Sequence, residues 1–247
     1  MTEQTQTLVE HLIELRRRLV WIVVVMLVAF FAAMPFAQQL YTFVAQPLMA
    51  NLPKGTSMIA TEVIAPFFVP VKVALMAAFL ATLPHTLYQV WAFVAPALYK
   101  HEKKLIFPLV LSSLILFACG MAFAYFLVFP VIFKFLAGVT PEGVNMATDI
   151  DKYLSFVLGM FVAFGATFET PVVVVLLHRM GVVSMEKMKA ARPYVIVGAF
   201  VVAAVITPPD VISQFMLAVP LIVLYELGLV LARMVKPIER AAEEFED

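Results

Sequence analysis

The chain has 247 residues, of which 63% are hydrophobic and only 14% are charged. Soluble globular domains are usually about 45–50% apolar, so this composition excludes an ordinary soluble protein and indicates a polytopic membrane protein. Seventeen basic and seventeen acidic residues cancel, so no net charge favours nucleic acid as a partner. The single cysteine, Cys119, excludes a disulfide framework within the chain.

The sequence lacks the common motifs of catalysis. It has no phosphate-binding loop, no paired Cys or His at metal-ligand spacing and no nucleophile elbow. We therefore expect a protein that is not an enzyme and that holds neither a cofactor nor a metal ion.

The N-terminal segment predicts an amphipathic helix over residues 7–19 that lies on the membrane surface. Its apolar side is formed by leucines at helical spacing: Leu8, Leu12, Leu15 and Leu19. On the other side, Glu14 is placed to pair with Arg17 or Arg18 one turn further on. A charged face of this kind is usually just solvated, and that interpretation stays open beside a functional one.

Six apolar stretches are predicted to span the membrane within one domain over residues 1–235, followed by a charged cytoplasmic tail at 236–247. The spans run over about 19–36, 67–95, 105–133, 153–177, 194–206 and 211–232. The fifth gives about 20–23 Å of helix, less than the ~30 Å hydrocarbon core of a bilayer. The bilayer must therefore thin there, or a partner must fill the gap.

Between the first two spans, residues 37–66 predict a structured cap instead of a linker. Part of this stretch is expected to be helical because apolar residues recur at helical spacing: Leu40, Phe43, Val44 and Leu48.

Basic residues are distributed unevenly among the predicted loops. Thirteen lie in the N-terminal segment, the loops 96–104 and 178–193 and the C-terminal end from Arg233 onward, whereas Lys54, Lys134 and Lys152 lie in the other loops. The positive-inside rule then places both termini in the cytoplasm, which requires an even number of spans. Six spans satisfy this requirement.

Glu169 interrupts the fourth span. An ionised carboxyl group at the bilayer centre costs roughly 2.5–3.5 kcal/mol on insertion scales, so we expect Glu169 to face protein or a wet cavity, or to be protonated. Pro171 is expected to bend this helix. In the third span, Gly120 and Ala124 have the spacing that lets another helix approach closely. Glu169 is either a functional acid or a neutral buried group that bonds a neighbouring helix.

Four stretches together resemble one known family. They are His11 to Leu19, Gln89 to Lys103, Phe164 to Pro171 and Thr207 to Gln214. In these stretches, and from about His11 to Glu226 overall, the chain resembles TatC, the core subunit of the twin-arginine protein translocase. The resemblance implies a six-helix, glove-shaped bundle in the bacterial inner membrane. It also implies a receptor for the signal peptides of folded cargo, driven by the proton-motive force, in a hetero-oligomer with TatA and TatB.

The resemblance further implies particular sites. Glu14 and Glu102 match the signal-peptide site, with Arg16, Arg17 and Phe93 beside it. Glu169 matches a carboxylate in the concave face of the bundle. The site for partner helices is matched by Thr207 and Gln214, with Ala204 and Val205 on the face that packs on TatB; we expect Thr207 and Gln214 to be polar groups facing lipid until a partner docks.

Two other functions stay open at this point. The first is a proton-coupled small-solute transporter that uses Glu169, although internal inverted repeats are not visible and only one deep carboxylate is present. The second is a permease subunit that couples to a separate ATPase.

Overall fold

The computed structural model describes residues 3–49, 58–94, 106–139, 147–207 and 210–235. Within these ranges the chain is helical apart from short connections and one isolated bridge between Ile59 and Asp149. This confirms the all-α prediction. The helices are α1 Glu3–Ala33, α2 Ala37–Met49, α3 Ala65–Val94, α4 Ile106–Phe123, α5 Phe129–Val139, α6 Ile150–Phe168, α7 Thr170–Arg179, α8 Met185–Ala190, α9 Arg192–Ile206 and α10 Val211–Arg233.

Five helical segments in the described ranges are long and apolar enough to cross a membrane. They are Val9–Gln46, Ala65–Phe93, Phe107–Val139, Ile150–Arg179 and Val211–Arg233. The remaining predicted span, the fifth in chain order, is α9, whose 15 residues give about 22 Å of helix. The described chain thus has five or six spans, while the side on which the termini lie stays a prediction.

The N-terminal prediction is wrong in one respect. Residues 7–19 do not form a separate surface helix, because α1 runs without interruption from Glu3 to Ala33. No Gly or Pro occurs in this range, so nothing in the sequence ends the helix near residue 19. The helix gives way to a short 3₁₀ turn over Met34–Phe36, which contains Pro35. The predicted cap helix then follows as α2, with Val44 and Ala45 buried.

The third predicted span is longer than expected. A π-helical turn over Ala124–Val128 joins α4 to α5, and the helix continues past Phe133 to Val139. Lys134 did not end the helix because its side chain is exposed and carries its charge away from the buried face.

The described residues divide into two compact units. The first contains α1, α3 and the start of α4, and the second contains the rest of α4 and the helices α5 to α10. In the first unit, α1 packs along α3, and the indole Nε1 of Trp91 donates to the Ser113 hydroxyl at 3.0 Å. Both of these side chains are buried.

The second unit is built around close helix contacts. A Cβ added at Gly120 would collide with the backbone carbonyl of Phe164, which confirms the predicted close approach in the third span. At Gly228 on α10, an added Cβ would lie 2.9 Å from Cβ of Val174 and 3.0 Å from Cα of Pro171. Small residues therefore let α4 lie against α6, and α10 against α7.

Asp149 fixes the start of α6. Its Oδ1 accepts from the backbone N–H groups of Asp151 and Lys152 at 2.9 and 3.0 Å, as a helix N-cap does. Its Oδ2 accepts from the backbone N–H and the hydroxyl of Thr61. The hydroxyl of Thr61 is the largest of the influences that hold the pKa of Asp149 well below its usual range, followed by these backbone donors.

Candidate functional site

One face of α1 meets one face of α3 through polar and aromatic side chains. On α1 these are His11, Glu14 and Arg18, at positions i, i+3 and i+7. On α3 they are His85, Gln89 and Phe93, at positions i, i+4 and i+8. Residues at these spacings share a helix face, so the packing of α1 on α3 brings the two sets together.

Glu14 forms an ion pair with Arg18. The Arg18 Nε and Nη2 both donate to Oε1 of Glu14, at 3.0 and 2.6 Å. The Arg18 Nη1 donates to Oε1 of Gln89 at 2.9 Å, which ties the pair to α3. The sequence predicted Arg17 or Arg18 as the partner, and the structure selects Arg18.

Phe93 is stacked on His11. The ring centroids are 4.3 Å apart and the ring planes differ by 21°. The predicted site residues Glu14 and Phe93 therefore lie along the same contact between α1 and α3. Glu102, the second predicted acid, lies outside the described residues.

Arg16 and Arg17 are exposed, and Arg16 lies on another side of α1. It borders a shallow apolar groove of about 390 Å³. The groove is lined by Leu12, Leu15, Leu19, Val20, Val23 and Val24. Arg16 is two residues from Glu14, which in an α-helix is a rotation of about 200°, so it does not share the face of Glu14.

Glu169 lies where the fourth span breaks. It ends α6 and precedes α7, and Pro171 occupies the first turn of α7. Both carboxylate oxygens are shielded from solvent. Because Pro171 has no backbone donor, the Thr167 carbonyl accepts instead from the Thr170 hydroxyl at 2.6 Å. The regular helix is thus interrupted next to Pro171, and Glu169 belongs to the interruption itself, while the predicted bend stays a prediction.

Aromatic rings surround the end of α6 that carries Glu169. Phe123 of α4 lies 5.6 Å, between ring centroids, from both Phe164 and Phe168 of α6. Phe164 is fully buried. This region therefore places a carboxyl group that is shielded from solvent beside a cluster of aromatic rings.

The predicted docking residues behave differently from one another. Val205 is 81% exposed and Ala204 is exposed as well. Gln214 is half-buried. Thr207 does not face lipid with an unpaired hydroxyl, because it is buried and donates to the Ala203 carbonyl at 2.8 Å. A threonine hydroxyl can donate a hydrogen bond to a backbone carbonyl one turn earlier in its own helix, so Thr207 needs no partner helix to satisfy it.

Among the described residues, no group of three His, Cys, Asp or Glu side chains converges as a metal site would require. The described chemistry is that of carboxylates, guanidinium groups and apolar helix faces. Such an arrangement suits recognition of a cationic peptide and of apolar helices.

Over residues 10–220 the sequence matches the family described as Sec-independent protein translocase protein (TatC). The chain belongs to the TatC family. It is 52% identical to the TatC protein of Escherichia coli K12, over 98% of this chain and 94% of that protein. It is 39% identical to the TatC protein of Aquifex aeolicus, over 92% of this chain and 95% of that one.

A solved structure described as the twin arginine translocase receptor TatC has the same fold. The two structures superpose with a TM-score of 0.82 at 39% identity, over 91% of this chain and 98% of that one. The resemblance inferred from the sequence is therefore confirmed. As a TatC protein, the chain is a multi-pass inner-membrane component of a protein translocase, which decides against the small-solute transporter.

Sequence reasoning missed two contributors to the Glu14 face. Gln89 begins the stretch from Gln89 to Lys103 but was given no role, and Arg18 was only one of two candidate ion-pair partners for Glu14. Helical spacing could have found both, since Gln89 and Phe93 are one turn apart on α3. The pairing of α1 with α3 could not have been found that way, because it depends on packing.

Proposed function

We propose that this TatC protein is the signal-peptide receptor and core component of the twin-arginine translocase, which exports folded proteins using the proton-motive force. TatA and TatB are its partners in a hetero-oligomer, and the chain itself is not an enzyme. The observation that carries the proposal is the likeness of nearly the whole chain to a solved translocase receptor. The Glu14 face supplies the chemistry for recognising the peptide.

A carboxylate is the natural partner of a peptide arginine. The guanidinium group presents a fork of donors, and charge-assisted hydrogen bonds to a carboxylate are about twice as strong as neutral ones. Glu14 is partly exposed, with 34% of its side chain accessible, so a ligand can reach it. We propose that Glu14 and Glu102 together hold the two arginines, with Arg17 and Phe93 bordering the site; Arg16, on another side of α1, is left out of it.

The test is the affinity of a twin-arginine signal peptide for the purified protein. Loss of one charge-assisted pair costs roughly 1.5–3 kcal/mol, so Glu14→Ala and Glu102→Ala should each weaken binding about ten- to a hundredfold. A peptide with two lysines should bind weakly to the unchanged protein, because an ammonium group cannot make a forked contact. The matched control is Glu10→Ala, the same charge change one turn earlier on α1. Two single mutants that bind as tightly as the unchanged protein would place the site elsewhere.

A second part of the proposal concerns docking of the TatA or TatB membrane helix. The exposed side of α9 carries Ala204 and Val205, and α9 is too short to match an ordinary bilayer. Gln214 at the start of α10 adds a half-buried polar group. We propose that a partner helix covers this surface.

Site-specific crosslinking tests the docking surface. A photoreactive residue at position 205 or 214 should crosslink to the membrane helix of a partner. Position 199 is the matched control, since Ala199 lies on the same helix but is buried. Crosslinks to lipid alone in the presence of TatA and TatB would refute the assignment.

The proposed orientation places both termini in the cytoplasm. In a Cys119→Ala background, a cysteine at Ala147 should react with an impermeant reagent from the periplasm, and one at Lys187 only from the cytoplasm. Ala147 is exposed and, unlike its neighbour Asp149, caps no helix. Reaction of both positions from the same side would overturn the six-span arrangement.

A further inference from the structure

The contacts of Arg18 suggest a role beyond neutralising its neighbour. All three guanidinium nitrogens of Arg18 donate hydrogen bonds, two to Glu14 on its own helix and one to Gln89 on α3. The side chain is only 18% exposed, against 34% for Glu14. Arg18 is therefore held from two helices and is the less accessible member of the pair.

The geometry at Glu14 is asymmetric. Both Arg18 donors converge on Oε1, and within the described residues Oε2 accepts no hydrogen bond. A carboxylate has about four lone-pair sites, so a second guanidinium group can bind through Oε2 while Arg18 stays in place. The resident arginine fixes the rotamer of the acid and leaves its outer oxygen for a ligand.

We infer that Arg18 is a positioning residue for signal-peptide recognition: anchored by Gln89, it holds Glu14 by one oxygen and presents the other to a peptide arginine. This inference rests on the proposed function of Glu14. The opposite role would be that of a competitor, which the peptide arginine must displace. Displacement from Glu14 would break two hydrogen bonds of a largely buried guanidinium group that Gln89 also holds in place, so the geometry favours positioning.

Arg18→Lys separates the two roles because it keeps the charge but cannot contact Glu14 and Gln89 with a rigid fork. If Arg18 is a positioning residue, Arg18→Lys should weaken binding of the twin-arginine peptide by about three- to tenfold. Gln89→Met, which removes the anchor but leaves the Glu14 contacts, should cause a smaller loss. Tighter binding in Arg18→Lys would identify a competitor and overturn the inference.

A double-mutant cycle distinguishes a positioning role of Arg18 from a purely structural one, because only a positioning role makes the effect of Arg18→Lys depend on Glu14. If Arg18 acts through Glu14, adding Arg18→Lys to Glu14→Ala should cause no further loss of affinity. Arg17→Lys is the matched control, because it makes the same chemical change on the next residue, and its effect should persist in the Glu14→Ala background. Additive losses for Arg18→Lys and Glu14→Ala would show that Arg18 acts by another route.

The same data keep the inference and the proposed function apart. If Glu14→Ala weakens binding while Arg18→Lys does not, the inference fails and the receptor site stands. If Glu14→Ala binds the peptide normally, the proposed site fails, and the inference fails with it.

Discussion

Glu14 and Glu169 both lie on predominantly apolar helices, yet their surroundings differ in kind. Glu14 is partly exposed, forms an ion pair with Arg18 and is linked through it to Gln89. Glu169 lies at a helix interruption, its oxygens are shielded from solvent, and the nearby helices are lined by aromatic rings. One acid is partly open to solvent beside an arginine, and the other is shielded from solvent at a helix interruption near aromatic rings.

The difference follows from backbone geometry as much as from composition. Around Glu14 the helix is continuous, so the residue four positions later, Arg18, lies on the same face and is the ion-pair partner. At Glu169 the helix breaks before Pro171, and close contacts at Gly120 and Gly228 pack neighbouring helices tightly. The first region can adjust its side chains, whereas the second has little room to do so.

The largest expected effect tests that rigidity. Gly120→Val places side-chain atoms against the Phe164 backbone, which cannot rotate away, and should destabilise the protein by about 3 kcal/mol, the upper end of overpacking costs. Thermal unfolding in detergent should show a Tm lower by about 6–12 °C. Gly159→Ala is the control, because nothing lies within 4 Å of an added Cβ there. Equal Tm values for the two variants would show that the helix contact at Gly120 can adjust, so the second region would not be rigid there.

Substitutions of the two acids should affect different steps of transport. Glu169→Ala should leave signal-peptide affinity within about twofold of normal but reduce export of a folded cargo several-fold. Glu169→Gln should be milder, because it retains the hydrogen-bonding groups of a protonated acid. Glu14→Ala should show the reverse pattern, with loss at the binding step. Normal export by Glu169→Ala would make Glu169 structural, and equal damage by Gln and Ala would show that ionisation is the required property.

A smaller effect is expected where the helix carrying Glu169 begins. Folding lowers the pKa of Asp149, so its stabilisation is fully present above the ordinary carboxyl pKa of about 3.9 and is lost as the pH falls below that value. Asp149→Asn should lower the Tm by a few degrees at pH 7. Between pH 5 and pH 3 the unchanged protein should lose more stability than the variant. Parallel pH profiles for the two proteins would contradict this account.

The smallest effect is expected at a second ion pair. Arg192 of α9 and Glu226 of α10 lie 2.7 Å apart, but their side chains are 41% and 44% exposed. Exposed pairs contribute about 0–1 kcal/mol, so Glu226→Gln should change the Tm by no more than about 2–4 °C. A larger change in Tm would mean that the greater solvent exposure of the Arg192–Glu226 pair does not make it weaker than the Glu14–Arg18 pair.

Local signals in the sequence predicted much of this fold. The helix break before Pro171 and the helix around Phe43 and Val44 are both present. Each depends on residues within one or two turns of each other. Asp149 and Asp210 were missed as N-caps although both precede helices directly, a signal that was available.

Other features depended on contacts between distant segments. The pairing of Ile59 with residues 148 and 150, and that of Arg18 with Gln89, join positions about 70 to 90 residues apart. No periodicity within a helix specifies such pairs. The family resemblance brought Glu14 and Phe93 into one site, but only the packing of α1 on α3 shows which arginine accompanies them.

The π-helical turn at Ala124–Val128 has a consequence for how the chain tolerates length changes. Its closing bond runs from the Phe129 N–H to the Ala124 carbonyl, five residues back, so the turn holds one residue more than an α-helical turn. Buried residues lie before, within and after it, namely Gly120, Val128 and Ile132. Deleting one residue there would restore regular winding and leave the helix faces on both sides in nearly the same orientation, whereas α-helical winding with the extra residue retained would rotate everything beyond it by about 100°. The π-turn thus absorbs one surplus residue, and the aromatic side chains beyond it, Phe129 and Phe133, keep their orientation toward the core because of it.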